Sequence, residues 1–505
     1  MKRKEAVRFF SAMVLISLTV ALSACSGDKQ GDELSSVITV GIPQDIEDSL
    51  DPHRAVAAGT REVLFNLFEG LVKPTSDGDY IPAIASDFTI AENGLVYTFT
   101  LRENVKFHDG STVTAEDVKF SLDKCADTGS GSPLVAAFAN ISEVLILDEK
   151  TIAIHLFTPD TEILASLTTA IIPAANASPE SNPIGTGPYL FTSRSPQENF
   201  VVTRFADYWG DKANIETVIF KIIANSDTIV MDLEGGSLDM VPRITKSQSD
   251  ELSGRFNILE GTMNLVQALY LNHAVPPFDI LEVRQALCYA VDPFEIMLMI
   301  SDGKGAEVGS SMFPAFTKYF IEDLNNFYSF DIEKAKQLLS DAGYPDGFSF
   351  TITVPSNHTQ HVDTAQVLVE QFKRIGVQAN IELIEWETWV AEVNTGRNYE
   401  TTVIGLVAST FTARAMLDRF HTDNRRNFNN YSNPDFDIAL ENALASADDL
   451  MKTFYYKECL RILTETAANV YIQDLPEFVA ISNKFGGYEF YPLPALDMAK
   501  MYIVD

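Results

Sequence analysis

Three short stretches hold residue types able to do chemistry. Asp127-Thr128-Gly129-Ser130 has the form of an aspartic-protease half-site. That chemistry needs two carboxylates sharing a proton, and no second Asp-Thr-Gly or Asp-Ser-Gly occurs. The motif follows a helical pattern in a Gly/Ser-rich stretch and reads as a loop. His358-x-x-His361 puts two imidazoles on one helical face, a spacing suited to a metal ion. No cysteine lies near, and the first carboxylate after them is Asp363, so a solvent-facing start of a helix is expected. Residues 408–415 (ASTFTARA) carry a single charge, Arg414. In a poorly hydrated cleft a guanidinium favours a carboxylate or phosphate; on a helix surface it is simply solvated. No G-x-S-x-G, H-E-x-x-H or P-loop occurs. No catalytic residue, metal site or cofactor is expected.

Trp386 and Trp389 follow an alternating run that ends near Ile384, in a polar setting of Glu385, Glu387 and Thr388. Ligand-facing side chains of an α/β lobe gather just beyond strand ends. Both rings are therefore candidates for a cleft, with a place in the core as the alternative.

The elements that must position these residues are legible in the periodicity. Phe348, Phe350, Ile352 and Val354 alternate. Val362, Ala365, Leu368, Val369, Phe372 and Ile375 recur at helical spacing. Val377, Ala379, Ile381 and Leu383 alternate again. This is a strand–helix–strand unit with parallel pairing, and Gly376 stands where the helix should end. A helix over 332–342 stops before Gly343, and Thr114 with Asp117 opens one that presents Val118, Leu122 and Cys125. Across 265–292 an apolar strand stops at Asn272, Pro276-Pro277 interrupt, and Val283, Ala286, Leu287, Ala290 and Val291 form one helical face. The stretch reads as the passage of the chain from one unit to another.

The chain has 505 residues, too many for one ordinary core. Its net charge of −33 argues against nucleic acid or an anionic membrane surface as main partner. The N-terminus is basic, then apolar over 11–24, and ends Leu22-Ser23-Ala24-Cys25 in the manner of a bacterial lipoprotein cleavage box. Cys25 is expected to carry lipid, with 1–24 as signal peptide and 25–35 as tether. Cys125, Cys288 and Cys459 are expected to be buried free thiols.

Five stretches taken together, two of them in two parts, resemble the family 5 extracytoplasmic solute-binding proteins, the peptide- and nickel-binding components of bacterial ABC importers. They are 49–53 (SLDPH), 66–71 (NLFEGL), 101–110 (LRENVKFHDG) with 114–119 (TAEDVK), 184–189 (IGTGPY) with 204–210 (RFADYWG), and 270–292 (YLNHAVPPFDILEVRQALCYAVD).

The resemblance implies an α/β, two-lobed periplasmic-binding-protein fold of class II, cluster C type, with an extra domain on the first lobe. Lobe I would comprise 36–66, 185–272 and 480–505, the extra domain 67–184, and lobe II 273–479. It implies capture of a peptide or peptide-like solute between lobes that close about a hinge, and delivery to ABC permease subunits. A nickel or metallophore ligand is the alternative, and a secreted enzyme on a similar scaffold a more distant one. A monomer outside the cytoplasm is expected, held to the membrane by lipid on Cys25. Candidate ligand-binding residues are Glu47, Tyr270, Trp386, Trp389, Val407, Ser409, Phe411 and Arg414. Peptide-binding members place an Asp after the strand that here ends near Leu406. That place falls on Ser409, and 408–415 has no acid.

Overall fold

The computed structural model describes residues 36–504 except 44, 47, 48, 56, 127–132, 161, 177, 224, 409 and 447. Cys25, Glu47, Ser409 and the 127–130 motif lie outside the described residues.

Two large sheets carry the two lobes. The first orders its seven strands as Asn257–Thr262, Pro476–Ile481, Met240–Ile244, Val37–Ile42, Thr217–Ile222, Asn199–Arg204 and Tyr189–Ser195. At its centre Val37–Ile42 runs parallel to Thr217–Ile222, with Val40 opposite Phe220, and both residues are fully buried. A separate four-stranded antiparallel sheet, Ala85–Ile90, Val96–Leu101, Thr151–Leu156 and Ile141–Ile146, has its own core around Phe99, Phe107 and Phe138.

The second lobe is built on a six-stranded sheet ordered Ala306–Glu307, Asn469–Asp474, Leu265–Leu271, Thr401–Val407, Ser349–Pro355 and Gln378–Ile384. Ser349–Pro355, the helix Thr359–Lys373 and Gln378–Ile384 form the expected crossover unit, and the two strands pair in parallel from Ser349↔Gln378 to Pro355↔Ile384. Gly376 takes φ +82°, a left-handed conformation that suits glycine. Asp292 caps the helix Pro293–Ser301 through the Glu295 N–H, and Thr114 accepts from the Asp117 N–H.

The expected passage at 272–277 is displaced. Leu265–Leu271 pairs along its whole length with Thr401–Val407, so it belongs to the second sheet, while Asn257–Thr262 belongs to the first. The chain therefore crosses at Met263-Asn264, where Asn264 takes φ +56°. The return crossing lies at Leu475, between Asn469–Asp474 and Pro476–Ile481, rather than near 480. The Met263 N–H donates to the Leu475 carbonyl at 2.8 Å, which ties the two crossings together. The apolar run misled because a strand buried on both faces looks the same in either lobe.

Arg284 lies off the apolar stripe of Val283, Ala286, Leu287 and Ala290, where a solvated side chain is expected. It is buried and donates to the carbonyls of Phe278, Thr466 and Ala467, which terminate neighbouring segments. Cys125, Cys288 and Cys459 are free and buried.

Candidate functional site

A cavity of about 1700 Å³ opens between the lobes. Its wall draws on the helix Ala58–Leu64 and Tyr491 of the first lobe, on Tyr80, Phe157 and Glu162 of the extra domain, and on Phe411, Arg414 and Asp418 of the second.

The second-lobe part of the wall follows from the chain path. From Ser349–Pro355 the chain goes out to the edge strand Gln378–Ile384, then returns across to Thr401–Val407 on the other side. The strand order reverses at Ser349–Pro355, and side chains just beyond such a reversal face the crevice. Past Val407 the chain enters the short helix Ala413–Leu417, capped by Thr412, whose Oγ1 accepts from the Ala415 N–H at 3.2 Å. This aims Phe411 and Arg414 at the cavity. The Phe411 ring stacks on Phe316 with centroids 4.0 Å apart. The same ring lies against Gly78, at φ +84°, where a β-carbon would overlap it. The Tyr80 hydroxyl donates to the Phe411 carbonyl at 3.4 Å.

Arg414 Nε donates to Asp418 Oδ2 at 3.2 Å, and Arg426 reaches the same oxygen at 3.4 Å. Burial opposes the Arg414 charge, but Asp418 raises its pKa on balance. Glu162 Oε2 accepts from the Tyr456 hydroxyl of the second lobe at 2.8 Å, and the Glu162 carboxylate is close enough to Arg414 to favour its charge. Burial pushes the Glu162 carboxyl up, and Lys452 and Tyr456 offset this in part. Glu162 and Tyr456 thus join the extra domain to the second lobe beside the cavity.

The other nominated residues lie elsewhere. Tyr270 is fully buried in the second-lobe core, and its hydroxyl donates to the Val266 carbonyl at 3.1 Å. Trp389 is 4% exposed and donates to Thr402 Oγ1 at 2.9 Å, so the core alternative holds for it. Trp386, 36% exposed, stacks on it with ring centres 5.2 Å apart and lies tilted against His358 at 5.0 Å, outside the cavity wall. Val407 is 53% exposed and also outside that wall. His361 is buried rather than solvent-facing. The Gly405 N–H donates to its Nε2 at 3.1 Å, and its Nδ1 lies 2.7 Å from the Gln267 amide. Among the described residues no group of three or more His, Cys, Asp or Glu side chains is arranged to hold a metal.

Several of the short stretches in the sequence meet one another. Glu69 of NLFEGL is buried and accepts from Tyr208 and Trp209 of RFADYWG, each at 2.7 Å. His108 of LRENVKFHDG lies 3.1 Å from the Gly187 carbonyl, and its backbone N–H donates to Gly185 at 2.9 Å. These motifs join the extra domain to the first lobe, and Glu69, Pro188 and Tyr208 among them also line the cavity wall. Arg61, Tyr80, Glu162 and Tyr456 carry no motif that marks a ligand contact, and the sequence shows Arg61 only as the first residue of an expected helix over 61–68.

Comparison with known proteins matches the same architecture. The family model for bacterial extracellular solute-binding proteins, family 5 (middle region) matches residues 79–428. The chain belongs to that family. Its members are extracytoplasmic solute-binding components of ABC importers, which bind peptides or small solutes and work with membrane permeases; they are not enzymes. The glutathione-binding protein GsiB of Pectobacterium atrosepticum is 28% identical over 467 residues, 88% of this chain and 90% of that protein. The substrate-binding protein CtaP of Listeria monocytogenes superposes with a TM-score of 0.84 at 24% identity, covering 93% of this chain and all of that one. NikA of Brucella suis, solved with Fe(III)-EDTA, gives 0.83 at 20% identity, covering 93% of this chain and all of that one. Among the described residues no helix is long and apolar enough to cross a membrane.

Proposed function

We propose that the chain captures a peptide or peptide-like solute of glutathione's kind in the interlobe cavity and delivers it to an ABC permease. The observation that carries this reading is the placing of opposite charges around one cavity. Asp160 and Glu162 of the extra domain supply carboxylates, and Arg61 of the first lobe, with Arg414 and Arg426 of the second, which share Asp418, supplies guanidinium groups. A peptide presents an ammonium and carboxylates, and burying either is costly without a counter-charge. Similarity to a glutathione-binding protein over nine-tenths of its length points the same way. Lobe closure about the crossings at 263–264 and 475 would seal the solute from water.

Calorimetric titration with reduced glutathione tests the reading, together with mass spectrometry of any small molecule released from the purified protein. The expected results are saturable binding and a peptide-like mass. A chain that binds no peptide and releases a metal chelate would contradict it. Lipid on Cys25 is part of the proposal, supported by Leu22–Cys25. Acyl chains contribute about 0.8 kcal/mol per buried CH₂, so two or three anchor a domain stably. Cys25→Ala should release the protein from membranes, and full retention would contradict the anchor.

A further inference from the structure

The cavity wall is much less acidic than the chain. Among its described residues six basic side chains (Arg61, Lys73, Lys212, Arg414, Arg426 and Lys500) stand against eight acidic ones. The whole chain has 37 Lys and Arg against 70 Asp and Glu. Several of these cations are engaged. Arg414 and Arg426 share Asp418, and Lys73 lies 3.5 Å from the Glu69 carboxylate and 5.1 Å from the Trp209 ring centre.

Arg61 differs. It lies on the helix Ala58–Leu64, its side chain is exposed, and it lines the cavity from the first lobe. Among the described residues its guanidinium has neither an ion-pair nor a hydrogen-bond partner. Its neighbour Glu62 is occupied on both oxygens by Arg243, at 2.7 and 2.6 Å. Lys212 and Lys500 are exposed as well, but an ammonium is compact and strongly hydrated. A guanidinium is less hydrated, and its planar fork matches a carboxylate with two parallel hydrogen bonds. A free fork on the wall of a binding cavity, in a chain this acidic, is suited to an anionic group on the solute.

We propose that Arg61 is the first-lobe receptor for a carboxylate of the solute and sets the preference for carboxylate-bearing ligands. The proposal rests on the cavity being the peptide site. It assigns the free anion contact to Arg61, whereas the charge of Arg414 is already balanced by Asp418.

The test is calorimetry on the full chain with reduced glutathione and with its diethyl ester, which lacks both carboxylates. Arg61→Gln should bind glutathione about 10- to 100-fold more weakly than the parent, the loss of a charge-assisted hydrogen bond. Arg61→Lys should fall between them. The ester should bind the parent weakly and lose little further in Arg61→Gln. Because Arg61 has no partner to lose among the described residues, the variant should melt with the parent. Equal affinity of Arg61→Gln and parent for glutathione overturns the assignment of Arg61 and leaves the cavity reading standing. A parent chain that binds no glutathione overturns both.

Discussion

Residues 385–389 and 408–418 both follow strands of the second-lobe sheet, and both carry aromatic rings in a polar setting. The structure uses them differently. Trp389 turns inward to Thr402 and builds a column with Trp386, His358 and His361. Phe411 and Arg414 face the cavity. The difference lies in strand order. Gln378–Ile384 is an edge strand, whereas Thr401–Val407 sits inside the sheet next to the point where the order reverses. A strand end is a place for ligand contacts only beside that reversal. Elsewhere the same rings cover the sheet.

The contrast can be broken first on the packed side. Trp389→Ala removes a buried ring and its hydrogen bond and should cost about 3–5 kcal/mol of stability. Glutathione affinity of the folded fraction should be unchanged. A variant as stable as the parent but with weakened binding would move Trp389 into the cleft.

A smaller effect separates the two stretches by pH. Burial holds the His361 imidazole neutral, with its pKa pushed down to about 3. The unfolded chain takes up that proton near pH 6.5, so this contribution is present at neutral pH and lost as pH falls. From pH 7 to pH 5 it should cost about 2 kcal/mol. In paired denaturant titrations His361→Gln should lose less stability than the parent over that interval. Equal losses would mean that His361 is not held neutral.

On the cavity side Gly78→Val puts a branched side chain against Phe411 at a positive φ. It should spoil the fit between extra domain and second lobe and weaken glutathione binding by roughly tenfold, about 1.4 kcal/mol. Parent-like binding would show that this junction plays no part in capture. The mildest effect should come from Arg414→Ala, about 1 kcal/mol in affinity, because Asp418 keeps Arg426 as a partner. A loss beyond that of Arg61→Gln would reverse the ranking of the two arginines.

Local elements were legible because their signals are local. Alternation gave Ser349–Pro355, helical spacing gave Thr359–Lys373, and Gly376 marked the turn between that helix and Gln378–Ile384. Of the ligand-contact candidates read from the sequence, Phe411 and Arg414, just past a strand end, are the described ones that line the cavity. Tyr270 was misplaced because a fully apolar strand does not show which sheet it joins. Glu162 and Tyr456, 294 positions apart, form one hydrogen bond between lobes that no local pattern encodes. Arg61 is conspicuous only once its lack of partners among the described residues is known.

Hydrogen exchange with and without saturating reduced glutathione tests the cavity assignment most directly. The account predicts slowed exchange in 58–65, 75–80 and 410–418, and no change in 385–390. Protection at 385–390 with none at 410–418 would contradict it.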